Sequence, residues 1–107
     1  MKMIIVLLLF VSVFRFTSAQ TEPSDNAAAV REIKKEFLHA WNSYKEYAWG
    51  YDGVRPLSRQ PYNWHASTLL LTPIDAFSTL KMMGFEHEAN EAKKLILTRL
   101  SFNKDIT

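Results

Sequence analysis

The sequence predicts an all-α fold, and three observations support that prediction. Apolar residues recur at steps of three and four between residues 27 and 48, which predicts one long amphipathic helix. Two shorter segments on either side of Gly84 repeat that spacing and predict a helical hairpin. No segment alternates apolar and polar residues as a half-buried strand would.

The first predicted helix carries a single apolar stripe, while its other face is charged or polar. Gly50 is expected to end this helix, because glycine adopts the backbone conformation that closes a helix at little cost. The stripe consists of Val30, Ile33, Phe37, Trp41 and Tyr44, followed by Tyr47 or Ala48.

Residues 50–66, with the sequence GYDGVRPLSRQPYNWHA, have no helical period and contain two glycines and two prolines. We predict a long loop without regular structure, and loops of this length are often functional. Tyr51, Tyr62 and Trp64 are candidates for the wall of a ligand site, since aromatic rings can stack on sugars. Asp52 and Arg55 form either a salt bridge within the loop or part of a site.

The second helix is predicted to start at the sequence TPID, and an alternative is that residues 69–71 form an earlier turn of the same helix, kinked at Pro73. Thr72 suits the N-cap, Pro73 suits the first helical position, and Asp75 then falls on the third. Asp75 has two interpretations at this point: a carboxylate that stabilises the helix start, or an acid that faces a substrate. The residues predicted to be buried are Ile74, Phe77, Leu80 and Met83.

The third helix is predicted to begin at Glu86 or His87 and to continue to about Arg99. Its apolar positions recur at helical spacing and are expected to face the second helix. These positions are Ala89, Ala92, Leu95, Ile96 and Leu100.

The N-terminus has the pattern of a secretory signal peptide in residues 1–19. Lys2 precedes the apolar run MIIVLLLFVSVF, and small residues lead to a cleavage site predicted after Ala19. The run is shorter than the roughly 20 residues that span a membrane. We therefore expect a protein of the secretory pathway, in the endoplasmic reticulum or Golgi lumen or secreted, with no membrane span after cleavage. Residues 20–26 are expected to form a polar leader.

Signal cleavage also changes the charge balance. Without Lys2 and Arg15, the remaining basic residues equal the 11 acidic residues in number, so the pI of about 9.0 does not indicate a nucleic-acid partner. The chain has no cysteine. A small secreted domain without disulfides needs an unusually good helical core or belongs to something larger.

No local motif specifies a metal site or a nucleophile. The histidines stand in three different predicted elements without metal-ligand spacing, and no phosphate-binding or nucleophile motif is present. We therefore assign no catalytic residue and no metal ligand from local motifs alone.

Three ordered blocks resemble the start of the class I α-mannosidases, glycoside hydrolase family 47. FLHAWNSYKEYAWGYDGVRPLS (37–58) is similar to the family's opening helix and its DELRPLS-like loop. NWHASTLLLTPIDAFSTLKMMGFEHEANEAKKLI (63–96) is similar to the TLIDALDT block and its flanks, and LSFNKDIT (100–107) to the segment that follows. The sequence departs from the family pattern at Gly53, His65 and Ser78, which leaves individual substrate contacts open.

The resemblance implies the first helices of an (α/α)7 barrel, and an enzyme that trims α-1,2-linked mannose from the high-mannose N-glycans of glycoproteins, in glycan processing or endoplasmic-reticulum-associated degradation. It also implies that the general acid, in an FExxIR motif, lies a few residues past Thr107 and that the calcium site lies far downstream. We therefore expect this chain to contain no catalytic residue, to bind no calcium and to be inactive alone. The resemblance favours Asp75, Arg55, Asp52 and Trp64 as substrate-binding or supporting residues.

Two alternatives remain at this point. The chain could be a complete small secreted helical protein that binds a partner through its aromatic residues. It could also be a relative with the family fold that binds glycans without cleaving them.

Overall fold

The computed structural model describes residues 23–104, which form three helices and one short β-hairpin. Helix α1 is Pro23–Ala48, strands β1 and β2 are Gly53–Arg55 and Gln60–Tyr62, helix α2 is Leu71–Met82 and helix α3 is Glu86–Arg99. The prediction of a mainly helical fold is confirmed. The predicted signal peptide and its cleavage site lie outside the described residues. None of the described helices is long and apolar enough to cross a membrane.

Helix α1 begins at Pro23, so residues 23–26 are helical and not part of an extended leader. Proline fits the first helical position because the N–H group that it lacks would have no partner there. At the other end, Gly50 has a φ of 86° and reverses the chain after the helix, as the sequence predicted. Arg99 lies against Gly50: a Cβ atom added there would meet its Nη1 at 2.4 Å.

Helices α2 and α3 form the predicted hairpin around Gly84, which has a φ of 79°. The Gly84 N–H donates to the Lys81 carbonyl at 3.1 Å, and the Phe85 N–H donates to the Leu80 carbonyl at 2.9 Å. These two bonds form a Schellman motif, which satisfies the last carbonyls of α2 and turns the chain towards α3.

The core lies where the C-terminal half of α1 packs against this hairpin. Trp41 and Trp49 meet edge to face with ring centroids 5.9 Å apart, and Phe37 stacks on Phe85 at 6.0 Å. Such aromatic pairs contribute both apolar burial and favourable ring geometry. The fully buried members of this cluster are Trp41, Tyr44, Ala48, Leu80, Ala89 and Ala92.

Only part of the predicted α1 stripe is buried. Val30 and Ile33 are 51% and 58% exposed, whereas Trp41 and Tyr44 are buried. Helix α1 has 26 residues and is therefore about 39 Å long, while the 12 and 14 residues of α2 and α3 span about 18–21 Å. The N-terminal half of α1 extends beyond its partners, so this half of the predicted apolar stripe is exposed among the described residues.

The loop predicted without regular structure contains an antiparallel hairpin, so that prediction is wrong in part. Gly53 pairs with Tyr62, Val54 with Pro61 and Arg55 with Gln60. The connection closes through a bond of 2.8 Å from the Arg59 N–H to the Arg55 carbonyl, with Arg59 at a φ of 56°. The strands have three residues each and one contains a proline, which is too little pattern to be detected in the sequence.

Helix α2 does not start with Thr72 as its N-cap, and Leu71 belongs to the helix, as in the alternative of an earlier turn. It begins at Leu71 with Leu70 as N-cap in the left-handed conformation, and Thr72 and Pro73 lie inside the first turn. Asp75 is the fifth helical residue and is exposed, so it neither caps the helix nor lies in its first turn. Leu70 and Pro73 are fully buried, which shows why this backbone is favoured over a local cap at Thr72.

The location of the core predicts that substitutions of two helical leucines have unequal effects on the free energy of unfolding. Leu80→Ala should lower the free energy of unfolding by about 2–5 kcal/mol, because Leu80 is completely buried in the cluster. Leu97→Ala is the matched control and should change it by less than about 0.5 kcal/mol, since Leu97 is 75% exposed. Chemical denaturation of both variants tests this, and equal losses would contradict the location of the core.

Candidate functional site

The candidate site is organised around Asp52, whose side chain is buried although it is ionisable. The residue is 2% exposed and directly precedes β1. Its Oδ1 accepts hydrogen bonds from the Thr68 hydroxyl at 2.9 Å, the Leu69 N–H at 2.8 Å and the Leu71 N–H at 3.3 Å. Its Oδ2 accepts one from the Trp64 N–H at 3.1 Å. Three of these donors lie in the segment that joins β2 to α2, and the fourth, Leu71, is the first residue of α2.

The main chain of Asp52 joins the same segment. Its N–H donates to the Asn63 Oδ1 at 3.1 Å, and its carbonyl accepts from the Thr72 hydroxyl at 2.5 Å. Residues 63–72 therefore wrap around a single aspartate by side-chain and main-chain bonds. Backbone groups of an irregular segment need such partners if they are to be buried.

These contacts determine the protonation of Asp52. Burial raises the pKa of its carboxyl, but the hydrogen bonds from the Trp64 N–H, the Thr68 hydroxyl and the N–H groups of α2's start lower it by more. The pKa of Asp52 consequently lies below its ordinary value. The carboxylate is thus ionised at neutral pH, and its lone pairs are occupied by protein donors.

The structure contradicts a salt bridge between Asp52 and Arg55. Within residues 23–104, none of the ion pairs includes Asp52. The exposed Arg55 guanidinium lies instead over the Tyr62 ring, 5.2 Å from its centroid. An arginine above an aromatic face is a favourable arrangement that leaves its N–H groups free to donate elsewhere.

Of the four residues that the sequence favoured, Asp52 and Trp64 are brought into contact. Trp64 is 69% exposed, and its backbone is held by Asp52. Asp75 is exposed on α2, and Arg55 is exposed at the end of β1. The structure therefore joins buried Asp52 to the exposed Trp64, while no hydrogen bond or ion pair among the described residues joins Asp52 to Arg55 or Asp75.

Sequence reasoning missed the partners of Asp52. Asn63, Thr68 and Thr72 carry hydrogen bonds to it, yet each is an ordinary polar residue in a loop or at a helix start. Leu70 in the left-handed conformation has no sequence signal either, since the residues that favour this conformation are glycine and asparagine. The one available indication was an aspartate in a loop rich in glycine and aromatic residues.

A second arginine–aromatic pair lies beside the hairpin. The Arg59 guanidinium lies 5.2 Å from the Tyr47 ring centroid and donates to its hydroxyl at 3.2 Å. This pair borders an open groove of about 530 Å³ between α1 and the hairpin. The groove is lined by His39, Ala40, Ser43, Glu46, Tyr47, Val54, Pro56 and Arg59.

The described residues do not fit a calcium site. Within residues 23–104, no three histidine, aspartate or glutamate side chains lie close enough together to hold a metal ion. Calcium prefers six to eight oxygen ligands, and the Asp52 oxygens are already occupied by N–H and O–H donors.

Comparison with known proteins establishes the family. The profile of glycosyl hydrolase family 47 matches residues 36–107. The endoplasmic reticulum mannosyl-oligosaccharide 1,2-alpha-mannosidase of Homo sapiens is 43% identical over 70 residues, which cover 65% of this chain and 10% of that protein. The mannosyl-oligosaccharide 1,2-alpha-mannosidase IA of Sus scrofa is 42% identical over 91 residues, covering 77% of this chain and 13% of that protein.

The chain belongs to glycosyl hydrolase family 47. It spans 10–13% of the length of these curated relatives. The family resemblance seen in the sequence is thus confirmed, including its position over the long loop and the α2–α3 hairpin.

The lowered pKa of Asp52 predicts a specific acid sensitivity. Because the folded pKa lies below the ordinary value of about 3.9, the ionised form stabilises the fold. That contribution is present above about pH 4 and is lost as pH falls through the lowered folded pKa. The free energy of unfolding of Asp52→Asn should therefore fall less between pH 6 and pH 3 than that of the unmodified chain.

Asp75→Asn is the matched control, because it makes the same chemical change at an exposed position. Its free energy of unfolding should follow that of the unmodified chain over this pH range. Denaturant titrations at several pH values provide the measurement. An Asp52→Asn variant that keeps the full acid sensitivity would contradict the hydrogen-bonded carboxylate.

The close approach of the Tyr62 ring to Gly53, a position where the sequence departs from the family pattern, gives a second prediction. A Cβ atom there would lie 2.7 Å from both Cζ and Oη of Tyr62. Gly53→Ala should therefore destabilise the chain by about 1–3 kcal/mol, as overpacking does. Adding Tyr62→Ala should recover most of that loss, and a double-mutant cycle measures the coupling. Strictly additive effects would show that the ring does not occupy this space.

Proposed function

We propose that this chain is the N-terminal part of the catalytic domain of a secretory-pathway mannosyl-oligosaccharide α-1,2-mannosidase. The observation that carries the proposal is the family match over residues 36–107, together with relatives whose names specify that enzyme. The proposed substrates are the high-mannose N-glycans of glycoproteins, processed in the endoplasmic reticulum or the Golgi lumen. Participation in endoplasmic-reticulum-associated degradation and a calcium requirement of the complete domain belong to the same proposal.

The apolar surface of α1 supports a role within a larger domain. Val30 and Ile33 continue the stripe that is buried further along the helix, but they are more than half exposed. Apolar side chains at helical spacing are usually covered by another element. Further helices of a barrel would cover this half of α1.

The proposed contribution of the chain to the site is binding and support, not acid–base chemistry. Inverting hydrolysis needs one carboxylic acid at the leaving oxygen and one carboxylate that activates water, about 6.5–9.5 Å apart. Asp52 is unsuited to either task, because it is buried and its carboxylate oxygens accept hydrogen bonds from protein N–H and O–H donors. Trp64, Arg55 and Asp75 are exposed and can contact a sugar.

Each of these three side chains offers a different contact to a mannose residue. The Trp64 indole presents a flat apolar face, on which the C–H groups of a sugar can stack. The Arg55 guanidinium donates hydrogen bonds to hydroxyl oxygens, and the Asp75 carboxylate accepts them from hydroxyl groups. A neutral, hydroxyl-rich oligosaccharide fits this combination of groups.

A chimera tests the proposed function. The segment of the human relative that matches this chain is replaced by the corresponding residues of this chain, and mannose release from α-1,2-linked mannobiose is measured. We expect the chimera to turn over substrate, and the 107-residue chain alone to release no mannose. Trp64→Ala in the chimera should raise KM about tenfold, the equivalent of 1.4 kcal/mol of lost stacking.

Two results would overturn the proposal. Turnover by the 107-residue chain alone would show that a complete catalytic set lies within it. A folded chimera that binds but does not cleave the disaccharide would favour a glycan-binding relative instead. Leu97→Ala in the chimera is the control for substitution at an exposed apolar residue and should leave KM unchanged.

A further inference from the structure

We propose that Asp52 is a positioning residue with a separate task for each carboxylate oxygen: Oδ1 fixes the start of α2, and Oδ2 fixes the exposed Trp64. Oδ1 accepts three hydrogen bonds from residues 68–71, whereas Oδ2 accepts one, from Trp64. The consequence for glycan binding rests on the function proposed above. The positioning of Trp64 and of the start of α2 by Asp52 does not depend on that function.

Trp64 needs such an anchor because it belongs to no helix or strand. It follows β2, and its side chain is 69% exposed, so packing restrains the indole little. Its backbone N–H bond to Oδ2 and the bond between the Asp52 N–H and Asn63 attach two consecutive residues to the same aspartate. Two attachment points fix the direction in which the chain leaves β2 and hence the direction of the Trp64 Cα–Cβ bond, from which the indole projects.

Helix α2 needs a cap that its own sequence does not provide. Its N-cap residue, Leu70, makes no capping bond through its side chain. Asp52 replaces that cap from 19 positions upstream, because Oδ1 accepts from the N–H of Leu71, the first residue of α2. Thr68 extends the arrangement: its hydroxyl donates to Oδ1 and accepts from the Leu70 N–H at 3.0 Å.

An asparagine at this position separates the two tasks. Its side chain has one acceptor oxygen and one donor NH₂ group. If the oxygen keeps the three donors at the start of α2, the NH₂ group faces the Trp64 N–H, and two donors oppose each other. The flipped orientation would leave three donors unsatisfied, so the first orientation is favoured. Asp52→Asn should release Trp64 and retain the helix start.

Amide hydrogen exchange on the full 107-residue chain, resolved by NMR, tests this separation. In Asp52→Asn, the Trp64 amide should exchange at least tenfold faster, while the Leu69 and Leu71 amides keep their protection. Thr68→Val is the matched control, because it removes a donor from Oδ1 and leaves Oδ2 untouched. In that variant the Trp64 amide should retain its exchange rate. Unchanged exchange of Trp64 in Asp52→Asn, or equal loss of protection at all three amides, would overturn the proposal.

The chimera described above links positioning to glycan binding. There, Asp52→Asn should raise KM as much as Trp64→Ala does, with a smaller effect on kcat, and the double variant should show no further increase. A merely structural role would lower kcat and the amount of folded protein together. If Trp64→Ala leaves KM unchanged while Asp52→Asn still frees the Trp64 amide, the sugar contact of the proposed function fails and the positioning role stands.

Discussion

The structure between α1 and α2 depends on one buried carboxylate. Asp52 satisfies donors from four residues of the segment that follows β2. An isolated buried charge would cost several kcal/mol. The buried carboxylate is therefore stable only when the surrounding segment supplies its donors, and the backbone of that segment in turn needs the carboxylate as an acceptor. The arrangement also offsets local strain, because the left-handed backbone of Leu70 costs roughly 1–2 kcal/mol and is fixed by bonds on both sides.

Asp52 and its hydrogen-bond partners are connected to the helical core through Tyr44. Its hydroxyl donates to the Tyr51 carbonyl at 2.8 Å and accepts from the Gly50 N–H at 3.3 Å, so the core side chain fixes the turn that leads into Asp52. Burial raises the pKa of Tyr44 to about 12 against the lowering effect of the Gly50 hydrogen bond, and the negative charge of Asp52 adds a smaller increase. The hydroxyl therefore remains a donor throughout the physiological pH range, and the core and the loop are held as one unit.

The parts of this fold that could be predicted from the sequence are those specified by local periodicity. The α2–α3 hairpin followed from apolar spacing and from Gly84, whose backbone conformation favours glycine. The β-hairpin and the start of α2 could not be predicted, because both are determined by bonds to Asp52 or by short pairing between distant residues. Thr72 and Pro73 have the local pattern of a helix start, yet burial of Leu70 and the remote cap outweigh it. The sequence could identify Asp52 and Trp64 as unusual, but their contact depends on tertiary structure.

The hydrogen bonds to Asp52 explain how a candidate site with solvent-exposed side chains can keep a defined backbone geometry. Trp64 and Arg55, which are proposed to contact a sugar, are exposed, and exposed groups on loops are poorly restrained by packing. Here the restraint comes from below the surface: hydrogen bonds hold the backbone of Trp64, and the Tyr62 ring lies beneath the Arg55 guanidinium. Gly53 leaves room for that ring, because any side chain at this position would collide with it. Asp52 thus holds the backbone of Trp64 and the start of α2 in place, and under the proposed function it would position one of the side chains that contact the sugar.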